Sequence, residues 1–279
     1  MHRDADFVST IGPESRGSLL LVGTGIEGQS HITAAARRAL ELASKVLFAV
    51  ADAETADFIR ALRPDAESLS YGAGDTPRAE TDRAMVDRIL SEVRAGHRVC
   101  AAFYGHPALL TRPSLLALQE ARAAGFVARM LPAVSALDCL CADLGFDPGE
   151  SGLQVYEATV FLRRQPSIDP RTPLILLQPA MLGNRAHHGQ EAPGAIADAA
   201  QGLRVLLTRS YPPGKRGLVY LASTECARPH MLESLALSEL DVTRLPELAT
   251  LFIPPSAAAD ALGRNAETRV RQDRVGGAP

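Results

Sequence analysis

Short, almost continuous apolar runs alternate along the first half of the chain with stretches in which apolar residues recur every three or four positions. Ser18-Leu19-Leu20-Leu21-Val22, Val46-Leu47-Phe48-Ala49-Val50, Arg98 to Tyr104 and Val127 to Leu131 are of the first kind. Such runs predict strands covered on both faces, as in a parallel sheet. Between them the period changes. Ser30 is the expected cap of a helix through the Ala-rich stretch to Ala43, with further helices at Thr55 to Leu62, Thr81 to Arg94, Pro113 to Ala124 and Ser135 to Leu144. In the helix from Thr81, residues Met85, Val86, Ile89, Leu90 and Val93 make one apolar stripe, and Gly96 closes it. Strands alternating with helices imply a mostly parallel sheet with right-handed crossovers.

The pattern loosens near Gly145-Phe146-Asp147-Pro148-Gly149. Strands are expected at Leu153–Tyr156, Leu174–Gln178, Arg204–Leu207 and Leu218–Ala222, with a last extended piece at Thr250–Ile253 before Pro254-Pro255. The chain is therefore α/β, with one α/β domain over 17–133 and a second, more mixed one over 134–255. A polar extension at 1–16 and a charged tail at 256–279 flank them, and both are expected to be flexible.

Composition narrows the function classes. Hydrophobic residues make up 46% and charged residues 22%, enough apolar bulk for a sizeable core. A net charge of −3 lacks the excess of Lys and Arg that nucleic acid requires. No run of eighteen apolar residues offers a membrane span, and nothing before Arg16 reads as a secretory signal, so a cytoplasmic protein is expected. Cys100, Cys139, Cys141 and Cys226 include no pair with metal-ligand spacing; reduced thiols and no metal are expected.

Four motifs carry candidate chemistry. Gly23-Thr24-Gly25-Ile26-Glu27-Gly28 follows a strand and opens a helix, which is the dinucleotide fingerprint, and Asp52 lies after the second strand where a ribose-binding acid would stand. A tight structural turn explains the same glycines. Phe103-Tyr104-Gly105-His106-Pro107 ends a strand at the edge where open α/β sheets bind ligands; Tyr104 could instead cover the core, and His106 could be a turn residue bonded to nearby backbone. Pro132-Ala133-Val134-Ser135-Ala136 follows the next strand, with Ser135 a natural helix cap. Tyr71, Arg78 and Asp82 precede or begin the long helix, and Asp82 falls on or beside its apolar stripe, so it needs a partner or a wet cleft. An Arg78–Asp82 ion pair at a helix start is the plainer reading.

Taken together and in order, these pieces resemble the tetrapyrrole-methylase superfamily. The fuller series is similar to the borosin peptide backbone N-methyltransferases: Pro77-Arg78-Ala79-Glu80-Thr81, Met85, Tyr104–Pro107, Met130-Leu131-Pro132, Asp147-Pro148, Tyr156-Glu157-Ala158-Thr159 and Thr250-Leu251-Phe252-Ile253-Pro254-Pro255. The resemblance runs from about Leu19 to Pro255. It implies the tetrapyrrole-methylase fold, two α/β domains with a cofactor cleft between them, an interlocked homodimer, S-adenosylmethionine as cofactor and a peptide amide as acceptor. Tyr71, Arg78 and Tyr104 look like three of the groups around the acceptor amide, while Asp82 stands where the family usually has tyrosine. Gly23, Gly25, Tyr104, His106, Ser135, Ala136, Gln178 and Pro254 are the implied cofactor contacts. Ala108 and Ala133 occupy positions where glycine is common in the family.

The expected chemistry uses Tyr71 as base, with Arg78 and Tyr104 as electrostatic and orienting groups; Asp82 either holds Arg78 or is itself the base. The 24 residues after Pro255 would reach roughly 80 Å if extended. Glu267, Arg269, Arg271, Asp273 and Arg274 nevertheless interrupt any apolar core segment, so a precursor peptide supplied in trans is expected. Other readings stay open: a methyltransferase acting on a tetrapyrrole-like small molecule, an NAD-dependent oxidoreductase, and an inactive peptide-binding module.

Overall fold

Residues 17–69, 76–182, 193–225 and 228–256 are described in a computed structural model of the chain. The terminal stretches at 1–16 and beyond Ser256, and also Tyr71 and Cys226, lie outside the described residues. The described chain divides into two compact units, the first running to Ser135 and the second beginning at Ala136.

In the first unit five strands form one sheet: β1 (Ser18–Gly23), β2 (Lys45–Ala49), β3 (Glu67–Ser68), β4 (Arg98–Phe103) and β5 (Val127–Met130). Their order is β3-β2-β4-β1-β5, and all four pairings are parallel. The side-chain period of two explains why the strands read as continuous apolar runs. Leu19 and Leu21 of β1, Leu47 of β2 and Val99, Ala101 and Phe103 of β4 face one core, with α4 (Arg78–Arg94) and α5 (Arg112–Ala123). Val22, Val46, Phe48, Cys100 and Ala102 face the other, with α2 (Ala34–Leu42) and α3 (Ala53–Leu62). Burial pushes the Cys100 thiol up to about 12, so it behaves as a small apolar side chain. Arg63 closes α2: its Nη1 donates to Leu40 O at 3.0 Å and Ala43 O at 2.6 Å, while Asp65 holds the rest of the guanidinium. That capping satisfies carbonyls that the helix end leaves without partners.

One expected boundary moves. Ser30 lies in a single turn, α1 (Gly28–His31), and α2 starts later, capped by Thr33, whose hydroxyl accepts from Ala36 N at 3.1 Å. The chain is extended at Ile32 because His31 folds back onto the preceding loop.

The second unit holds α6 (Ala136–Leu144), a single turn α7 (Pro148–Ser151), β6 (Gln154–Glu157), α8 (Ala158–Arg164), β7 (Leu174–Leu177), α9 (Pro193–Ser210), β8 (Arg216–Leu221), β9 (Met231–Ala236) and β10 (Thr250–Ile253). The sheet order is β6-β7-β10-β8-β9; only β6 and β7 pair in parallel. The strand expected at Arg204–Leu207 is instead part of α9. Leu203 and Leu207, four apart, are both fully buried against Phe161, Leu176 and Leu251. Periodicity cannot separate a strand from a buried helical segment over so short an apolar run.

At the end of β10 two prolines remove successive backbone donors, so the ladder stops. The chain is held there from outside: Ser256 N donates to Pro170 O at 2.8 Å, and the buried Lys215 ammonium donates to Pro255 O at 3.1 Å. Beside it, 5.9 Å from that ammonium, lies the ring of Tyr211, whose buried hydroxyl has no hydrogen-bond partner among the described residues.

Burial pushes the Tyr211 phenol up to about 12 from an ordinary value of about 10. The phenol, without a partner among the described residues, costs stability even when protonated, and because its buried site disfavours the phenolate, stability falls further as pH rises from about 10 to about 12. Tyr211→Phe is therefore expected to raise stability by about 1 kcal/mol at neutral pH, by removing an unsatisfied buried hydroxyl. Urea unfolding at neutral pH and again between pH 10 and 12 checks this: the advantage of the Phe variant should widen in the alkaline window.

Candidate functional site

In the first unit the parallel topology decides which residues can meet. Helices between parallel strands run opposite to them, so helix starts and strand carboxyl ends share one edge of the sheet. Gly23 ends β1 and Gly25 follows it, Asp52 follows β2, Tyr104 and His106 follow β4, Arg78 opens α4, and Asp82 lies one turn further along it. All lie at that edge. Here β1 leads to α2 on one face of the sheet and β4 to α5 on the other. Adjacent strands whose connections leave in opposite directions mark the switch point where such sheets bind ligands.

At the switch point the two strand ends touch. Gly25 and Gly105 form an antiparallel bridge, with Gly25 N donating to Gly105 O at 3.2 Å and Gly105 N to Gly25 O at 3.0 Å. A Cβ on Gly23 would lie 2.1 Å from the Gly105 carbonyl oxygen and 2.5 Å from the Ala133 Cβ. Neither is possible, so Ala133 is accommodated only because residue 23 is glycine. Gly25 has φ +74°, and a Cβ there would strike His31 at 2.1 Å.

The amides of Thr24, Ile26 and Glu27 are engaged as well. Thr24 N donates to Phe103 O at 2.9 Å. Ile26 N and Glu27 N both donate to His31 Nδ1, at 3.3 and 3.1 Å. The Nε2 of the same ring lies 3.5 Å from the Glu27 carboxylate. Four successive amides are thus bonded within the protein. A dinucleotide loop needs such amides for a diphosphate, and this one does not offer them.

Tyr104 is half-buried, and its amide donates to Ala49 O at 3.0 Å. His106 accepts from Ala108 N at its Nδ1, 3.0 Å, which places the proton of the neutral ring on Nε2. The following turn is held by the buried Ser114 hydroxyl, which donates to Pro107 O and Thr111 O. Leu110 in that turn has φ +59°, a rare conformation for a bulky residue.

Asp82 is 6% exposed, on the same helix face as the buried Met85 and Ile89. Arg78, one turn earlier, is half-buried. Asp52 caps α3 through Oδ1, which accepts from Thr55 N at 2.7 Å. Its Oδ2 is buried with no hydrogen-bond partner among the described residues. His31 carried no functional reading in the sequence; its only signal was a spacing of four from Glu27.

Ser135, 6% exposed, ends the first unit, and Ala136 opens α6 in the second. Gln178 follows β7 in a left-handed conformation, φ 52° and ψ 46°, the kind of backbone outlier that clusters at ligand sites. Pro254 follows β10, whose register pairs Thr250 with Leu177 and Ile253 with Leu174. Gln178 and Pro254 therefore stand at opposite ends of this strand pair, about five residue steps or roughly 17 Å apart. The fold does not bring these two together. Around the Gln178 end of the sheet, Tyr220 lies opposite Thr250, and its hydroxyl donates to Asp143 Oδ2 at 2.6 Å.

Residues 18–183 match the profile of the tetrapyrrole (corrin/porphyrin) methylases. The chain is 35% identical to the methyltransferase/ribosomally synthesized cyclic peptide dendrothelin A precursor of Dendrothele bispora, over 88% of this chain and 59% of that protein. It is 31% identical to a methyltransferase/ribosomally synthesized type I borosin cyclic peptide precursor of Coprinopsis marcescibilis, over 93% of this chain and 67% of that protein. The chain thus spans about three fifths of the length of most of the curated relatives it matches. Among solved structures, the uroporphyrin-III C-methyltransferase of Thermus thermophilus in complex with S-adenosyl homocysteine superposes with a TM-score of 0.55 at 19% identity, covering 85% of this chain and 92% of that one. No helix among the described residues is long and apolar enough to cross a membrane. The chain belongs to the tetrapyrrole (corrin/porphyrin) methylase family, and within it to the lineage of the borosin peptide-precursor methyltransferases.

Proposed function

We propose that the chain is an S-adenosylmethionine-dependent methyltransferase that N-methylates backbone amides of a separate precursor peptide. The observation that carries this reading is likeness along nearly the whole chain to proteins named as methyltransferase and peptide precursor in one.

The sheet edge fits such a cofactor better than a dinucleotide. The loop amides from Thr24 to Glu27 are bonded internally, which suits an adenosyl group that carries no phosphate. The buried Asp52 Oδ2, without a partner among the described residues, is an acceptor suited to a hydroxyl. The division of the chain into 17–133 and 134–255, and the homodimer, belong to this same proposal.

When bound, the cofactor supplies a sulfonium methyl group, an electrophile that needs only an in-line nucleophile. The residues of the chain must make that nucleophile. In this reading Tyr71 takes the amide proton as its phenolate, although a free phenol has a pKa of about 10. Arg78 favours the phenolate and stabilises charge building on the amide oxygen. Tyr104 orients the peptide from the end of β4. Asp82, buried one turn after Arg78, holds that guanidinium in place or acts as the base itself.

Cofactor class is tested by thermal melting. At about 100 times Kd, S-adenosylhomocysteine should raise the melting temperature by roughly 5 °C or more, and NAD should leave it unchanged. A shift with NAD alone would overturn the assignment. Acceptor and residue roles are tested by the intact mass of a candidate precursor peptide after incubation with enzyme and S-adenosylmethionine. A ladder of single-methyl additions on backbone nitrogens is expected. Arg78→Ala and Tyr71→Phe should each slow it by roughly 10²- to 10³-fold while the cofactor Kd stays within about threefold. Unaltered rates in both variants would remove them from the mechanism.

A further inference from the structure

The Gly-rich loop is closed by one side chain that the proposed reaction does not use. His31 lies at the end of α1 and turns its Nδ1 back to accept from Ile26 N at 3.3 Å and Glu27 N at 3.1 Å. Its Cβ lies where a Gly25 side chain would have to go. His31 therefore packs on Gly25 through its Cβ and backbone, and its ring bonds the two residues after Gly25.

Gly25 is in turn bonded to Gly105 in both directions, at 3.2 and 3.0 Å. Tyr104 and His106 are the immediate neighbours of Gly105. Tyr104 has a second tether on its other side, from its own amide to Ala49 O. A continuous path of hydrogen bonds and backbone runs from the imidazole to the Tyr104–His106 segment. Glycine is required at both ends of the bridge, and glycine is the residue with the most backbone freedom. Without an external lock the two strand ends would sample other conformations, because each glycine brings little steric restraint of its own. The acceptor that supplies the lock is a single unprotonated ring nitrogen.

We infer that His31 is a positioning residue for Tyr104 and for the cofactor-facing turn, acting through the Gly25–Gly105 bridge. This rests on the reading that Tyr104 serves methyl transfer. The same contact makes His31 a specificity residue, since it occupies the amides that a diphosphate would need and leaves the loop suited to a phosphate-free adenosyl ligand.

The test is a pair of variants in the full chain. His31→Ala removes the acceptor. His31→Asn keeps one, because its amide oxygen sits close to where Nδ1 stands in the ring. Methylation kinetics with precursor peptide and S-adenosylmethionine, cofactor affinity by calorimetry and thermal melting are measured on both. His31→Ala is expected to raise the cofactor KM and lower kcat, each roughly tenfold, as small displacements of an orienting group do. His31→Asn is expected to return both to within about threefold of the parent. Unchanged kinetics in His31→Ala would overturn the inference. So would an Asn variant that melts like the parent yet is as impaired as the Ala variant, and so would losses in both variants that simply follow lowered melting temperatures, which would make His31 a structural cap. If the parent protein itself binds no S-adenosylmethionine, the failure lies in the methyltransferase reading, and the inference falls with it.

Discussion

Where β1 and β4 end, two stretches of backbone come closer than any side chain permits. Gly25 on one and Gly105 on the other bond directly, and a single methyl group on Gly23 would overlap the Gly105 carbonyl oxygen. The contact sits at the switch point of the sheet, so it decides how the loops carrying Tyr104, His106 and the Gly-rich turn leave their strands. The candidate site here is built from backbone held in place, with side chains added at its rim. The packing of Ala133 against Gly23 shows the same economy: where one residue gains a methyl group, its neighbour has none.

Around that contact the polar groups are arranged to leave few loose ends. The Gly-rich loop resembles a phosphate cradle in sequence and is the opposite in structure, because its amides are already bonded to Phe103, Gly105 and His31. Burial then singles out two carboxylates at the same edge. Asp82 sits at 6% exposure on the buried face of a helix, and Asp52 keeps one oxygen without a partner among the described residues. Carboxylates in such places are costly unless a partner or ligand meets them. Both stand at the carboxyl edge of a parallel sheet, the edge where open α/β sheets bind ligands.

In the second unit the polar exceptions sit elsewhere. Lys215 and Pro170 hold the chain after Ile253, where two prolines have removed the donors that a strand would use. Gln178 takes a left-handed backbone at the far end of the same strand pair. The two ends of this sheet therefore differ in character: one holds the chain as it leaves β10, and the other carries the backbone outlier together with the Tyr220–Asp143 pair.

Much of this was legible along the chain. Four apolar runs with helical stretches between them specify a parallel α/β unit, because strands buried on both faces read as continuous apolar sequence; the short polar strand Glu67–Ser68 carries no such run and was not legible. The motif order pointed to the family, and Arg78, Asp82 and Tyr104 fall at the expected edge once the strands are parallel. Local pattern failed where two structures share one pattern. Arg204–Leu207 is equally good as strand or helix until Leu203 and Leu207 are seen packing on one face of α9. Ser30 and Thr33 are equally good caps until His31 folds back and ends the first turn. Sequence by itself determined which residues are chemically able and in what order they come. Tertiary structure alone decided that the Gly-rich loop is closed by His31, that Gln178 and Pro254 stand apart, and that Lys215 is buried, because each depends on which strands are neighbours and in which direction they run.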